Sequence, residues 1–359
     1  MPAAPAGPGD DAAVAGRLLL TADALLEGVH FLAREPAFLT GRKSLAVNLS
    51  DIAAMGGSAR ACLLSIGLPV SAGRTAAHGI LDGFASAAKE WGVAWVGGDV
   101  VRSTGPIMIA VTVMGERGRS LLLRSGARAG DGIYVTGPLG GSAAGRALLT
   151  DGYSVRAPGL DAKRGWRAAA AGAAARRLLP LVARGAGSRA SRARRRGLLP
   201  GIVAAELISR HLDPVPRLEA GRFLSRRRLA SAAMDISDGL SLDLARLCDA
   251  SRAGAVIQEE AIPISETTRM WAARAGGDAL GAALDGGEDY ELLFTAPPGA
   301  LRALGSWPLA DGTGPILIGR VRPRAEGIRL ADARGKLRKL PAGGYDAFRA
   351  RGRSESPTR

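Results

Sequence analysis

The chain has 359 residues, of which 47% are apolar and 4% aromatic, so it can bury a sizeable core in one large or two ordinary domains. Its two cysteines, Cys62 and Cys248, form no Cys/His pattern, which argues against a thiolate metal site and a disulfide framework. No apolar stretch approaches the roughly 20 residues of a membrane helix, and the first residues lack the pattern of a signal peptide. We therefore expect a cytoplasmic protein that has no membrane partner.

The net charge of +15 comes mostly from one segment. Residues 151–230 contain 17 Arg, one Lys and five acidic residues, a net charge of +13, so the rest of the chain is near +2. Because the basic residues are confined to this segment, the total charge alone does not indicate a nucleic-acid-binding protein.

Residues 10–145 alternate between strand-like and helix-like segments. An Ala-rich stretch with helical apolar spacing predicts a helix at 75–91 that ends at Gly92, and a second helix is predicted at 142–149. Apolar and β-branched runs predict strands at 17–21, 60–68, 93–96, 107–114 and 131–136.

Residues from about 155 to 198 break this alternation. The run 163–196 is mainly Ala, Arg and Gly with few acidic residues, which is typical of a disordered insertion or of a solvated helix. We favour an insertion. The domain boundaries are then expected at 1–140 and 141–348, with a frayed tail at 349–359.

The second half repeats the alternation. Helical spacing predicts helices at 240–250 and 270–284. Short apolar runs predict strands at 232–235, 254–259, 291–295 and 316–320.

Acidic residues recur beside Gly, Ser or Asn, most of them at the ends of apolar segments. Mg²⁺ takes oxygen ligands and commonly uses a few carboxylates together with substrate phosphates. One Asp of this kind is more typical of a turn or a helix cap, so only the recurrence of the pattern indicates a metal site. The candidates are Asp10, Asp11, Asp23, Asp51, Asp99, Asp235 and Asp238.

Other motifs are weaker. The Gly-rich segment 137–145 is neither a Walker loop nor a dinucleotide fingerprint, although its amides could hold phosphate if a helix starts there; a plain turn fits equally well. The three histidines, His30, His78 and His211, have no metal-ligand spacing, and His78 is expected on a helix surface. No GxSxG motif supports a hydrolase triad.

Taken together, the motifs closely resemble those of the thiamine-monophosphate kinase family, which belongs to the superfamily of aminoimidazole ribonucleotide synthetase. They follow the family order over nearly the whole chain outside the Arg-rich segment. The matching strings are GDDAAV (9–14), TADALLEGVHF (21–31), LAVNLSDIAAMG (45–56), GGD (97–99), RSGA (124–127), DGIYVTG (131–137), MDISDGLS (234–241), GGEDYEL (286–292) and GYDAF (344–348).

The resemblance implies a two-domain α/β fold that dimerises through the sheet of its N-terminal domain, with ATP and thiamine monophosphate in a cleft between the domains. It implies that several Mg²⁺ ions are bound by Asp11, Thr21, Asp23, Asp51, Asp99, Asp235 and Asp238. It further implies ATP contacts from Gly98, Asp99, Arg124 and Ser237, and substrate contacts from His30, Glu288 and Tyr345.

The acceptor in such a reaction is itself a phosphate, which is anionic near neutral pH. No protein base is therefore expected, and the difficulty lies in bringing two anions together, which Mg²⁺ and an Arg such as Arg124 would ease. The expected activity is ATP-dependent phosphorylation of thiamine monophosphate to thiamine diphosphate.

Three features depart from the family pattern. Ala22 stands where a hydroxyl residue is usual, and the Arg/Ala-rich segment is additional. Family members usually carry a helical segment before the GDD motif, which begins here at Gly9, so the resemblance implies that the chain is truncated or that its start is wrongly assigned.

Three alternatives differ in class. A sister activity such as aminoimidazole ribonucleotide synthetase is possible on this fold, although Glu288 to Glu291, the EDYE loop, favours the thiamine enzyme. A nucleic-acid-binding protein would use the Arg-rich segment for phosphate contacts, but that segment has few aromatic residues for base stacking. A non-catalytic family member is the third, and the retained aspartates argue against it.

Overall fold

A computed structural model describes residues 9–156, 182–185, 199–300, 303, 307 and 314–345. These residues form two α/β domains, each built on its own sheet, as the resemblance implied. The tail expected at 349–359 and most of the Arg/Ala-rich segment lie outside the described residues.

The first domain is a five-stranded sheet in the order β1-β2-β5-β3-β4, in which β3 and β4 run parallel and the other neighbours antiparallel. Two helices cover one face, α1 (Ala37–Ala54) and α2 (Gly73–Trp91). The strands are β1 (Ala13–Ala15), β2 (Leu18–Leu26), β3 (Ser58–Leu68), β4 (Ala94–Arg102) and β5 (Met108–Glu116).

The predicted helix at 75–91 is confirmed as α2, which ends at Gly92 in the left-handed conformation with φ 67°. The strand predicted at 93–96 was too short. It continues as β4 to Arg102, so Gly97, Gly98 and Asp99 lie within a strand rather than in the turn after it.

Helices α1 and α2 approach closely enough to exclude side chains at two glycines. A Cβ atom on Gly41 would lie 2.0 Å from the carbonyl oxygen of Ile80, and one on Gly83 would lie 1.9 Å from that of Phe38. The backbones are thus in direct contact, which fixes α1 and the polar residues it carries against the sheet.

The second domain is a seven-stranded sheet in the order β14-β13-β10-β12-β6-β11-β9. Strand β6 belongs to this sheet, which therefore begins before the domain boundary predicted at residue 140. The strands are β6 (Gly132–Val135), β9 (Ala232–Asp235), β10 (Ala253–Gln258), β11 (Leu292–Ala296), β12 (Ile316–Pro323), β13 (Ile328–Ala331) and β14 (Leu337–Lys339).

Six α-helices are described in the second domain. The single helix predicted at 270–284 is wrong: Gly276 ends α7 in the left-handed conformation, and the Asp278 side chain caps the start of α8. The helices are α3 (Gly141–Thr150), α4 (Gly201–Leu212), α5 (Leu218–Arg227), α6 (Leu240–Ser251), α7 (Glu266–Ala275) and α8 (Ala279–Asp285). Short 3₁₀ helices occupy Val70–Ala72, Glu259–Ala261, Pro298–Ala300 and Arg324–Glu326.

Part of the segment expected to be an insertion forms a strand pair. Strand β7 (Tyr153–Arg156) pairs antiparallel with β8 (Val182–Gly185). Within the described ranges, no helix combines the length and the hydropathy that a membrane span requires.

The contact between α1 and α2 predicts the effect of a one-methyl substitution. Gly41→Ala should lower the free energy of unfolding by about 1–3 kcal/mol, because the helices must separate to admit the methyl group. Urea denaturation measures this change. Gly105→Ala is the control, since a Cβ atom there meets no atom within 4 Å. Equal urea midpoints for the two variants would contradict the packing argument.

Candidate active site

A cleft of about 670 Å³ lies between the two domains. Strand β2, α1 and the loop that contains His30 contribute from the first domain, and the turn after β9 and the loop before β11 contribute from the second. The structure places most of the predicted site residues along this cleft: Asp11, Thr21, Asp23, His30, Asp51, Arg124, Asp235, Ser237, Asp238, Glu288 and Tyr345.

Three carboxylates meet at one end of the cleft. Asp11 precedes β1, Asp51 lies in the last turn of α1, and Asp235 is the last residue of β9. One oxygen from each lies within 4.8 Å of the others. Two hydroxyl groups hold the cluster: Thr21 Oγ1 donates to Asp51 Oδ2, and Ser50 Oγ donates to Asp235 Oδ2 at 2.6 Å.

Burial and mutual repulsion make this cluster costly when it is fully charged. Burial first, and then the neighbouring carboxylates, raise the pKa of Asp51 and of Asp235 well above the usual value. Burial also raises the pKa of Asp11 to about 7, although Arg124 opposes the shift.

A bound cation would relieve this repulsion. Asp11 Oδ2 is buried and has no hydrogen-bond partner in the described part of the chain. An unpartnered carboxylate oxygen beside two further carboxylates matches the hard oxygen ligands that Mg²⁺ prefers. The residues present thus fit a divalent cation at Asp11, Asp51 and Asp235.

The predicted metal ligands Asp23 and Asp238 line the cleft near this cluster. The Asp23 amide donates to Asn48 Oδ1 at 3.0 Å, which ties β2 to α1. Asp238 Oδ2 lies 2.5 Å from Arg246 Nη1, and the same nitrogen lies 2.8 Å from Asp243 Oδ1.

Asp243 and Arg246 are functional neighbours of this turn that the acidic motifs in the sequence did not indicate. Asp243 Oδ2 accepts hydrogen bonds from the amides of Ser237, Asp238 and Gly239 at 3.0–3.2 Å, so it shapes the turn that presents Ser237. An Asp in the first turn of a helix that follows an Asp-Gly turn is typical of a cap, and this spacing could have indicated the role.

Arg124 lies beside the cluster and contacts the GDD motif. Its guanidinium donates to Asp11 Oδ1, with Nε at 3.1 Å, and to the Gly9 carbonyl at 3.2 Å, while its amide donates to Asp10 Oδ1 at 2.9 Å. Without ligand, Arg124 therefore serves as the counter-ion of Asp11.

His30 and Tyr345 lie together elsewhere along the cleft. Their rings make an edge contact with centroids 6.2 Å apart. His30 Nδ1 accepts the Leu26 amide at 3.0 Å, and burial lowers the pKa of His30, so the imidazole is neutral at pH 7.

Glu288 sits in a strained loop beside these rings. Glu288 and Tyr290 have φ values of 57° and 51°, a left-handed conformation that is uncommon for residues other than glycine. Burial alone would raise the pKa of Glu288, but Lys43 at 2.9 Å, then His211 and Arg146, lower it to about 2. Glu288 is therefore anionic at neutral pH.

Two amides of the Gly-rich segment 137–145 are already bound within the protein. The Asp289 carboxylate accepts the amides of Gly140 and Ser142, at 2.7 and 3.2 Å. This favours the plain-turn interpretation, because a side chain far along the chain caps the start of α3.

A hydrolase triad is also excluded for the nearby polar residues. Ser142 Oγ and Glu288 Oε2 both approach Nδ1 of His211, at 3.1 and 3.3 Å. In a catalytic triad, the serine and the carboxylate contact opposite nitrogens of the histidine ring. Here Ser142 and Glu288 approach the same nitrogen of His211. His78, by contrast, is exposed on α2 as predicted.

Two predicted site residues do not line the cleft within one chain. Gly98 and Asp99 lie in β4, the edge strand of the first sheet, where every residue is exposed. A Cβ atom on Gly98 would lie 1.7 Å from the Leu64 carbonyl, so this glycine permits the close approach of β4 to β3.

The fold and the cleft define the class of the protein. The chain matches the AIR synthase related protein N-terminal domain over residues 9–117 and the corresponding C-terminal domain over residues 185–309. A hydrogenase maturation protein from Escherichia coli, 21% identical, shares the fold with a TM-score of 0.65 over 92% of this chain and 87% of its own.

Relatives with higher sequence identity show to which family within this class the chain belongs. Thiamine-monophosphate kinase from Rhodopirellula baltica is 32% identical over 83% of this chain and 78% of its own, and that from Salmonella typhimurium is 36% identical over 81% and 76%. A solved structure described as AaThiL complexed with AMPPCP and TMP is 31% identical, with a TM-score of 0.72 over 95% of this chain and 91% of its own. The chain belongs to the thiamine-monophosphate kinase family, which confirms the resemblance seen in the motifs.

The repulsion within the carboxylate cluster predicts that removing one carboxylate stabilises the metal-free protein but weakens metal binding. Asp51→Asn should raise the free energy of unfolding of the metal-free protein by roughly 1–3 kcal/mol, because it removes a carboxyl group that must either repel its neighbours or take up a proton on folding. The same variant should lose the increase in Tm that Mg²⁺ gives the wild type. Asp249→Asn, on the exposed end of α6, should change neither quantity. A destabilised Asp51→Asn protein that keeps its response to Mg²⁺ would contradict the assignment.

The raised pKa of Asp11 predicts how stability depends on pH. The folded protein binds this proton more tightly than the unfolded chain, so the stability of the metal-free protein should fall as pH rises from about 4 through 7. Saturating Mg²⁺ should flatten this part of the profile, because the cation replaces the proton. Denaturation curves at several pH values, with and without Mg²⁺, measure the difference, and identical profiles would contradict the prediction.

Proposed function

We propose that this protein phosphorylates thiamine monophosphate to thiamine diphosphate with ATP and Mg²⁺. The observation that carries the proposal is the cluster of Asp11, Asp51 and Asp235, which faces the cleft of a chain that belongs to the thiamine-monophosphate kinase family. The relative described as a complex with AMPPCP, an ATP analogue, and TMP supports both substrates.

The polar groups of the cleft suit transfer between two phosphates. When bound, Mg²⁺ would neutralise the phosphate oxygens of donor and acceptor. The carboxylates of Asp11, Asp51 and Asp235 would hold the metal, with Thr21, Asp23 and Asp238 as further ligands. Arg124 lies next to Asp11 and would bind phosphate oxygens there. No protein base is assigned, since the acceptor oxygen is anionic already.

The remaining assignments are part of the same proposal. Ser237 would contact ATP from the turn after β9, close to Asp235 and Asp238. His30, Glu288 and Tyr345 would contact the thiamine moiety. The anionic carboxylate of Glu288 suits a substrate that carries a cationic thiazolium ring. The two cysteines are buried free thiols, which suits the cytoplasmic location expected from the sequence.

We further propose a homodimer formed through the uncovered face of the first sheet. Strands β3, β4 and β5 expose apolar residues, and β4 is an unpaired sheet edge that a monomer would leave prone to association. Asp99 lies on this uncovered face in register with Ser65, Ala110 and Ala24. A second copy docked here would bring Gly98 and Asp99 to the cleft of its partner. The exposed apolar residues of the uncovered face include Leu63, Val101, Met108 and Met114. Trp95 and Val100 are also exposed, but they pair in register with the buried Cys62 and Ile66 on the opposite face of the sheet.

The activity is tested directly. Purified protein with ATP, Mg²⁺ and thiamine monophosphate should yield thiamine diphosphate, whereas thiamine should yield none. Asp51→Asn should reduce kcat at least about a hundredfold, because one of the metal-binding carboxylates is lost. Chromatography of the products measures both. An inactive wild type would contradict the proposed function, and full activity in a metal chelator would contradict the metal assignment.

Mixing two inactive variants tests whether Asp99 acts across the dimer. If it does, co-expressed Asp99→Asn and Asp51→Asn chains form mixed dimers that contain one intact site, and about a quarter of wild-type activity returns. If Asp99 acts within its own chain, each site of a mixed dimer carries one lesion and activity does not return. Each variant expressed alone is the control.

A further inference from the structure

We propose that Lys43 is a positioning residue that sets the thiamine-binding part of the cleft by holding His30 and Glu288 in place together. The proposal rests on the function proposed above. It adds a residue that the sequence motifs did not single out and that does not itself line the cleft.

One buried ammonium group connects the two predicted substrate contacts. Lys43 is 1% exposed, and its Nζ lies 3.1 Å from the His30 carbonyl oxygen and 2.9 Å from Glu288 Oε1. His30 belongs to the first domain and Glu288 to the second, so this one side chain fixes the spacing between them across the cleft.

Packing alone does not account for a lysine at this position. An ammonium group that is removed from water is costly unless charged or polar partners compensate, and an apolar side chain of similar length would fill the same volume. Both groups within 3.1 Å of Nζ belong to residues that line the cleft. The free-energy cost of burying the Lys43 ammonium group is therefore offset by contacts that position residues of the cleft.

The neighbouring residue Arg42 provides a contrast on the same helix. Arg42 is 6% exposed and pairs with Glu90 and Asp213, each at 2.9 Å. Neither carboxylate lines the cleft. Arg42 thus carries a buried cation of purely structural use, one residue away from Lys43.

Glu288 depends on Lys43 more than on its other neighbours. Its second oxygen, Oε2, lies 3.3 Å from His211 Nδ1 and 3.7 Å from Arg146 Nη1. Burial lowers the pKa of His211 to about 3, so this imidazole is neutral and adds no full charge. Arg146 is partly exposed and more distant. Without Lys43, the Glu288 carboxylate would lose its closest cation, which lies 2.9 Å away.

The environment of Lys43 also contains Glu35, which is buried and makes no hydrogen bond through its carboxylate oxygens in the described part of the chain. Lys43 and Arg146 are the cations that act on Glu35, and Glu288 is the neighbouring anion. Lys43 is therefore a buried cation that acts on two buried carboxylates, those of Glu288 and Glu35. Of these two residues, Glu288 lines the cleft.

A pair of matched variants separates positioning from general stabilisation. Lys43→Met should raise KM for thiamine monophosphate at least about tenfold while KM for ATP changes less than about threefold. Arg42→Met removes an equally buried cation from the same helix. It should lower Tm and leave both KM values within about twofold of the wild type.

A double variant keeps the test open if Lys43→Met fails to fold. Lys43→Met/Glu288→Gln removes both charges of this ion pair, so neither is left buried without the other. Because Lys43 acts partly through Glu288, the increase in KM for thiamine monophosphate in the double variant should be smaller than the product of the increases in the two single variants. Where Lys43→Met does not fold, the double variant should still raise KM for thiamine monophosphate at least about threefold above that of Glu288→Gln, because the contact with the His30 carbonyl is also lost. Equal KM values for these two variants would contradict the positioning role.

The outcomes distinguish this proposal from the proposed function. If the wild type is active and Lys43→Met keeps its KM for thiamine monophosphate, or if Arg42→Met raises that KM equally, the positioning role is contradicted and the kinase activity stands. If the wild type forms no thiamine diphosphate, the proposed function fails. The Kd of each variant for thiamine monophosphate, measured by calorimetry, then decides the role of Lys43 in place of KM.

Discussion

The constraint on which the structure depends is the placement of the buried Asp11 and Asp235 and the half-buried Asp51 within 4.8 Å of one another. Two like charges at that distance repel by about 3 kcal/mol at the effective dielectric constant typical of proteins. Three such pairs approach the whole stability of an ordinary domain. The cluster must therefore bind protons or a cation. The raised pKa of Asp11 reflects proton binding, and its unpartnered oxygen Oδ2 is available to bind a cation.

The docking of the two domains creates this cluster, so the site and the interdomain contact are inseparable. Asp11 and Asp51 come from the first domain and Asp235 from the second, and Ser50 donates to Asp235 across the boundary. Lys43 makes a similar connection to Glu288. Ligands that bridge the carboxylates would accordingly also stabilise the arrangement of the domains. The glycine contact between α1 and α2 fixes the position of α1. It thereby also fixes Lys43, Ser50 and Asp51, which all lie on this helix.

Much of this arrangement could be predicted from the sequence because the motif residues are local signals. The strand at 232–235 and the helix ended by Gly92 follow from apolar spacing and one glycine, and both are confirmed. The acidic motifs identified most of the residues that line the cleft. The family resemblance then supplied the expectation that residues far apart in sequence converge, which spacing alone could not show.

What the sequence could not settle depended on contacts between distant residues. For the loop at 137–145 it left a phosphate site and a plain turn open, and Asp289, far along the chain, accepts two of the loop's amides. Asp99 looked like a residue in a turn, but pairing with β3 extends β4 through it. Lys43 looks like an ordinary helix residue, and only the docking of the second domain reveals its partner Glu288.

The most direct test of the central claim is anomalous diffraction from crystals of the protein grown with Mn²⁺ and a non-hydrolysable ATP analogue. Mn²⁺ prefers the same carboxylate ligands as Mg²⁺ and can be located by its own scattering. We expect an anomalous peak within coordination distance of the carboxylates of Asp11, Asp51 and Asp235. A nucleotide bound in the cleft with no peak at this cluster would contradict it.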